Sequence, residues 1–357
     1  MDYKIKLYSQ LDEQLKKAWY NVEKNSHHTC FNSLAWIESY ETSYQKDKSR
    51  SKLKIFIIFF KNEPICVLPF EVIKKFNTNV LQWACDLKSD FNAPVIKKNF
   101  NFQKKAFEEI WKKILKMIPE ADLIYLKNQI NFFEVLNNPF VNYLNNSKEG
   151  VVYQIQLPSK WNQYTDKILK RKFYMDLMRT KRLIKKHGKV EFIIAKSKKE
   201  KTIFLNKLIK QKSKKLEKAK KNSLNEEDLN FYKNLEMFEN KQYITQVSGL
   251  KLNGEFIAMH WGVFNKQYYY YLLPSMKEDN VKQFSPGKLL LYLLIRWSIS
   301  KKLKFFDFGL GEEIYKKKWS NKIVNTYNYI RIKKLKGVFF YLFLKCIQII
   351  KYFKKNK

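Results

Sequence analysis

Three stretches near the end of the chain hold side chains suited to binding an anion and to acid–base chemistry. They are Ser285-Pro286-Gly287-Lys288, Phe306-Asp307-Phe308-Gly309 and Glu312-Glu313-Ile314-Tyr315-Lys316. Ser285 is a helix-capping type, Pro286 suits a first helical turn, and Gly287 has no side chain to hold a ligand off the backbone. Amide N–H groups at such a start make the positive end of a helix dipole, an anion site; the same residues also serve as a plain helix start signal. Asp307, at the end of an apolar strand, either positions or deprotonates an attacking group or caps the following turn. Glu312 and Glu313 are alternative bases, and His260 on a strand is a base or a structural residue. Two look-alike motifs fail. Asp307-Phe308-Gly309 lacks the His-Arg-Asp loop and Gly-rich flap of a kinase, and Gly287-Lys288 lacks the earlier glycine and the Ser or Thr of a P-loop.

The elements that must hold these residues are legible as patterns. Leu289, Leu290, Leu293, Leu294 and Trp297 recur at helical spacing, so one face of a helix packs on a sheet. Tyr243–Gly249, Glu255–Phe264 and Gln267–Leu273 read as consecutive antiparallel strands. Lys160–Lys221 reads as helical and very basic, with Lys170, Arg171, Arg179 and Arg182 spaced to form one stripe toward an anion, or else a solvated face. In the first half, Phe31–Tyr44 and Phe102–Met117 read as helices. Leu53–Phe60 and Pro64–Phe70 read as a hairpin, with further strands near Val80–Ala84 and Ala121–Leu126. The pattern is α/β, for which parallel strands with crossover helices are expected. The strand-turn-strand unit around Asn62 is echoed around Asn253, as a tandem duplication would leave it.

A chain of 357 residues with 45% hydrophobic content has material for two cored domains. Its formal charge of +37 invites nucleic acid or an anionic membrane as partner. Only six of the basic residues are arginine, the residue that reads bases bidentately, so specific nucleic-acid recognition is not expected. Cys30, Cys66, Cys85 and Cys346 make no close pair, zinc pattern or disulfide framework, which predicts reduced thiols, a cytoplasmic protein and no metal. The first residues have no signal-peptide core. No glycine precedes Gly150, so phosphate contact by main chain belongs to the second half. Residues 337–357 read as an amphipathic basic helix, short for a span, which either lies on an anionic inner leaflet or docks on its own domain.

The aromatic strand Tyr268–Tyr271, Ser285-Pro286-Gly287, Phe306-Asp307-Phe308-Gly309 and Gly311-Glu312-Glu313-Ile314-Tyr315-Lys316 together resemble the CelD-like acetyltransferase family. These are GNAT-type enzymes related to the FemAB-like peptidyl transferases. Lys170-Arg171-Lys172 through Arg179, Arg182, Leu183 and Gly188 is similar to the basic helix opening that family's acyltransferase domain, and the likeness runs from about Leu157 to Trp319. It implies a mixed α/β (α+β) fold of tandem GNAT-like domains: a degenerate one over 1–149, an acetyltransferase domain over 150–335 with basic helices after the boundary, and the helix 336–357. It also implies acetyl-CoA or another acyl-CoA as co-substrate, held by Ser285, Pro286, Gly287 and Lys288 and by Tyr271 and Leu272 on a strand splayed from its neighbour. Asp307 or Glu313 would serve the acceptor, Tyr315 the thiolate and Lys316 the developing negative charge. The acceptor would be a small-molecule or saccharide amine or hydroxyl, as in polysaccharide or cell-envelope biosynthesis. The rivals are a Fem-like transfer from aminoacyl-tRNA and a non-catalytic basic module on membranes or RNA.

Overall fold

A computed structural model describes residues 2–44, 51–131, 138–220, 223–238, 242–277 and 283–355. Residues 221, 356 and 357, and the side chains of 348 and 351–355, on which parts of the sequence expectations fall, lie outside this description. The chain divides into two units, Met1–Gly150 with Asn325–Lys357, and Val151–Val324.

The first unit opens with β1 (Tyr3–Tyr8), α1 (Glu13–Glu23), β2 (Ser26–His27) and α2 (Leu34–Ser43). It continues with β3 (Ser51–Phe60), β4 (Glu63–Lys75), β5 (Thr78–Trp83), β6 (Val95–Lys97), α3 (Lys104–Lys116), β7 (Leu123–Ile130) and α4 (Pro139–Tyr143). Lys61 and Asn62 both take positive φ, 49° and 64°, which turns β3 directly into β4 with the twist a hairpin needs. On α3, Ala106, Phe107, Ile110, Trp111, Ile114 and Leu115 are buried at steps of three and four, so this amphipathic face closes the core over Phe70 and Trp83.

The second unit begins within β8 (Asn146–Gln156) and continues with α5 (Trp161–Lys167), α6 (Arg171–Lys186), β9 (Val190–Ile194), α7 (Lys198–Lys218) and α8 (Glu226–Met237). Next come β10 (Ile244–Leu252), β11 (Glu255–Phe264), β12 (Tyr268–Met276), α9 (Pro286–Ser300), β13 (Phe305–Leu310) and α10 (Ile314–Trp319). Its sheet runs β8-β13-β12-β11-β10-β9. Leu289, Leu290, Leu294 and Ile295 of α9 pack with Tyr269, Tyr271, Phe306 and Phe308 on one face. Successive strand residues alternate faces, and on the other face Trp261 meets Tyr232 of α8, ring centroids 4.7 Å apart. The basic stretch expected to be helical throughout is interrupted by β9, whose half-buried Val190, Phe192 and Ile194 pair with β10 instead.

The chain then re-enters the first unit. β14 (Lys322–Ile332) pairs with β7, and α11 (Leu335–Lys355) buries Phe340 against Val80 and Leu123. Where the second domain is expected to run to residue 335, the strand pairing returns Asn325 onward to the first unit. The strands of the two units share one order, β3-β4-β5-β7-β14 and β10-β11-β12-β13-β8: three antiparallel strands, a helix, a parallel strand, and a closing antiparallel strand taken from elsewhere in sequence. The expected parallel strands with a helix between them are β5/β7 and β12/β13; the hairpins β3/β4, β4/β5, β10/β11 and β11/β12 and the returns β7/β14 and β8/β13 are antiparallel.

Candidate active site

The parallel pair β12/β13 opens. It is registered at Tyr268↔Phe305, Tyr269↔Phe306 and Tyr270↔Asp307, and there the pairing stops, although β12 runs on to Met276 along β11. At the same point Leu272 drops out of register between the pairs Trp261↔Leu273 and Gly262↔Tyr271, a β-bulge that bends β12 away. From Tyr271 onward the edge of β12 that faced β13 has no strand partner in the described sheet.

A cavity of about 460 Å³ occupies the opening. β12 contributes Tyr271, Ser275 and Met276; α9 contributes Ser285, Gly287 and Lys288; α10 contributes Tyr315, Lys318 and Trp319. Phe173 of α6, Lys212 and Lys215 of α7, Met259, Pro274, Leu290 and Leu291 also line it, so among the described residues four lysines and no carboxylate border the cavity. At Gly287 the nearest heavy atom an added Cβ would meet among the described residues, its chain neighbours and own helix backbone aside, is the Met276 Sδ at 3.9 Å, so the backbone there is open to the cavity. Gly287 lies in the first turn of α9, where amide N–H groups have no intrahelical acceptor, which suits an anion.

The cap differs from the expected one. Ser285 sits at φ 50°, ψ 55°, left-handed, and its side chain makes no capping bond, while its carbonyl accepts from the Lys288 N–H at 3.0 Å. Pro286 opens the helix as its fixed φ favours. Lys288 pairs with Asp176 of α6, lowering that carboxyl's pKa, and its Nζ lies 4.6 Å from the Phe173 ring centroid.

The cavity's aromatic wall is stiff. The His260 ring stacks on Tyr271 at 4.1 Å and 7°, and its Nδ1 lies 3.1 Å from the Tyr269 hydroxyl. Full burial, reinforced by the Lys212 charge, holds the imidazole well below its ordinary pKa. It is a neutral backing for Tyr271 and does not line the cavity. Burial raises the Tyr271 hydroxyl's pKa, with a smaller contribution from Tyr315, which places the two phenols within electrostatic reach.

Of the expected residues, Ser285, Gly287, Lys288, Tyr271 and Tyr315 converge on the cavity. Asp307 does not: it is fully buried, Gln154 Nε2 donates to its Oδ2 at 2.6 Å, and the Gly309 N–H donates to its Oδ1 at 2.7 Å. It braces the turn in which Gly309 and Gly311 both adopt positive φ, 69° and 124°. Lys316 is buried, donating to the Leu310 carbonyl at 2.8 Å and pairing with Glu313 at 2.9 Å. Glu313, Lys316, Pro286 and Leu272 are absent from the lining, as are the exposed Arg171, Arg179 and Arg182 of the basic stripe. Lys212, Lys215, Ser275, Lys318 and Phe173 went unread. Lys318 lies three residues past Tyr315 on α10 and was within reach of a spacing argument; Lys212 and Lys215 are indistinguishable from their lysine neighbours by type.

A strand pair that parts beside a helix N-terminus, with an anion-friendly cavity between, defines the acyl-CoA N-acyltransferase (GNAT) fold in the second unit. Residues 171–317, all within that unit, match the family described as acetyltransferase (GNAT) domain. No curated sequence relative matches the chain. Among solved structures, the fold is similar to that of FemX, with a TM-score of 0.61, 10% identity and coverage of 91% of this chain and 97% of that one. It is also similar to L-PGS from Bacillus licheniformis, with a TM-score of 0.55, 12% identity and coverage of 92% and 95%. A conserved protein of unknown function from Bacteroides thetaiotaomicron gives 0.55, 9%, 92% and 100%. At such identities the likeness speaks to fold, and it extends over both units.

Proposed function

We propose that the protein transfers an acyl group from acetyl-CoA or a longer acyl-CoA to an amine or hydroxyl of a small-molecule or saccharide acceptor. The carrying observation is the parting of β12 from β13 onto the open backbone of Gly287, inside a cavity bordered by lysines. The diphosphate lies against the first turn of α9 with Lys288 and Lys318 beside it, and the unpaired edge of β12 takes the pantetheine amides as an added strand would. The thioester then falls near Tyr271 and Tyr315: the acceptor nitrogen or oxygen bonds to the thioester carbon, main-chain N–H groups steady the oxyanion, and as the C–S bond breaks Tyr315 protonates the departing thiolate and its phenolate takes up the proton the acceptor gives up. No metal is invoked. Asp307 and Lys316 act by holding the Gly309–Gly311 turn and α10, and so by positioning Tyr315.

Thermal-shift and calorimetric titration with acetyl-CoA, longer acyl-CoAs and free CoA tests this. Ligand at about a hundred times its Kd stabilises the fold by about 2.7 kcal/mol. Absence of both a melting shift and binding heat with every thioester would sink the reading. A second donor, aminoacyl-tRNA, is favoured by the likeness to FemX across nearly its whole length and by Lys212 and Lys215 on the basic helix α7. Selective turnover of aminoacyl-tRNA over acetyl-CoA decides for it.

A further inference from the structure

The helix α11 is apolar on two faces, and the first unit uses one of them. Phe340 is buried against Val80 and Leu123, with Tyr341 and Leu344 packed beside it. At Gly337 the backbone comes so close that a Cβ would lie 2.5 Å from the Asp122 carbonyl oxygen. These contacts fix which side of the helix is covered. Leu335, Phe339, Leu342, Phe343, Ile349 and Ile350 remain exposed, Phe339 at 74%. Positions 335, 339, 342, 346 and 349 step by four and three, which keeps one continuous stripe along the helix, with exposed Cys346 in line. Phe76, at the β4–β5 turn and 79% exposed, widens the stripe; its ring centroid lies 5.1 Å from that of Phe343.

We propose that this stripe is a docking surface for an anionic lipid bilayer, on which α11 lies flat with Phe76, Phe339 and Leu342 inserted among the acyl chains. Charge selects the occupant. Residues 333–357 contain eight lysines and no Asp or Glu, and exposed Lys74 adjoins Phe76. Lys336 and Lys345 fall on the two sides of the stripe by helical spacing. A second copy laid along it would oppose lysine to lysine, whereas a surface of anionic headgroups neutralises both rows. Among the described residues no helix is long and apolar enough to cross a membrane, so the stripe lies on a bilayer and does not span it. The docking stands independently of the chemistry proposed for the second unit.

The test is flotation of the full chain with vesicles of three parts phosphatidylcholine to one part phosphatidylglycerol, against pure phosphatidylcholine vesicles, at about 100 mM salt. The protein should float with the anionic vesicles and at least tenfold less with the neutral ones. Phe339→Ser/Leu342→Ser, which touches only the exposed stripe, should lose at least tenfold in binding while keeping the melting temperature, and Phe76→Ser should weaken binding in the same direction. Equal flotation with both vesicle types, none with either, or undiminished flotation of the double variant each overturns the proposal. So does a dimer in analytical ultracentrifugation that the double variant dissociates, since that gives the stripe to a second copy.

Discussion

Gly287 is the position where protein and ligand make different demands. The protein leaves room for a methyl group, and alanine is the better helix former by up to about 1 kcal/mol. Gly287→Ala should therefore fold at least as stably as the parent while its affinity for CoA falls about tenfold; unchanged calorimetric affinity would remove the diphosphate from this turn. Tyr315, 41% exposed, can lose its hydroxyl without harm to the core. Tyr315→Phe should lower kcat about a hundredfold with little change in KM, and an unaltered kcat would end its part as proton donor. Lys316→Met strands the Leu310 carbonyl and should cost roughly 1–3 kcal/mol in denaturant unfolding, a structural loss that Tyr315→Phe does not share. These residues were legible by type. Their roles were not, because Asp307 and Lys316 spend their polar atoms on their own turn while Tyr315, one position away, faces the cavity.

At the scale of elements, a ladder across three strands makes stability depend on pH. Ser51 of β3 and Gln82 of β5 donate to Glu71 of β4 at 2.6 and 2.8 Å. Burial outweighs those two bonds and raises the Glu71 pKa from 4.5 to about 7. The folded state thus binds this proton more tightly than the unfolded state. The contribution is full below pH 4.5 and is lost as pH rises through about 7. Glu71→Gln should flatten the curve, gaining on the order of 3 kcal/mol on the parent between pH 5 and pH 8; parallel urea-unfolding curves would contradict it. α7, which carries Lys212 and Lys215, starts with a full capping box between Ser197 and Glu200. Loss of that cap in Ser197→Ala should destabilise the unit by about 1 kcal/mol, read as a lowered melting temperature. Hairpins and amphipathic helices were readable ahead of the structure, since local turn chemistry and periodicity dictate them. β9 was not, because a five-residue strand in a lysine-rich stretch exists only by pairing with β10.

For the molecule as a whole, a net charge of +37 raises the local concentration of any anionic donor. The Kd for CoA should weaken several-fold between about 50 and about 500 mM salt, as screening shortens the range of that field. A salt-independent Kd would show that contact hydrogen bonds alone hold the ligand.

The sequence by itself determined the GNAT-type motifs of the second half, the helix start at Ser285-Pro286-Gly287 and the amphipathic helices, because motifs and periodicity are local and each residue's backbone preference is written in its side chain. Tertiary structure alone decided that β8 and β14 close the sheets of distant segments, that Asp307 turns inward while Tyr315 lines the cavity, and that α11 is covered on one face only. Strand partnership and the direction a side chain faces are relations between segments far apart in the chain, and free energy settles them only when the whole sheet assembles.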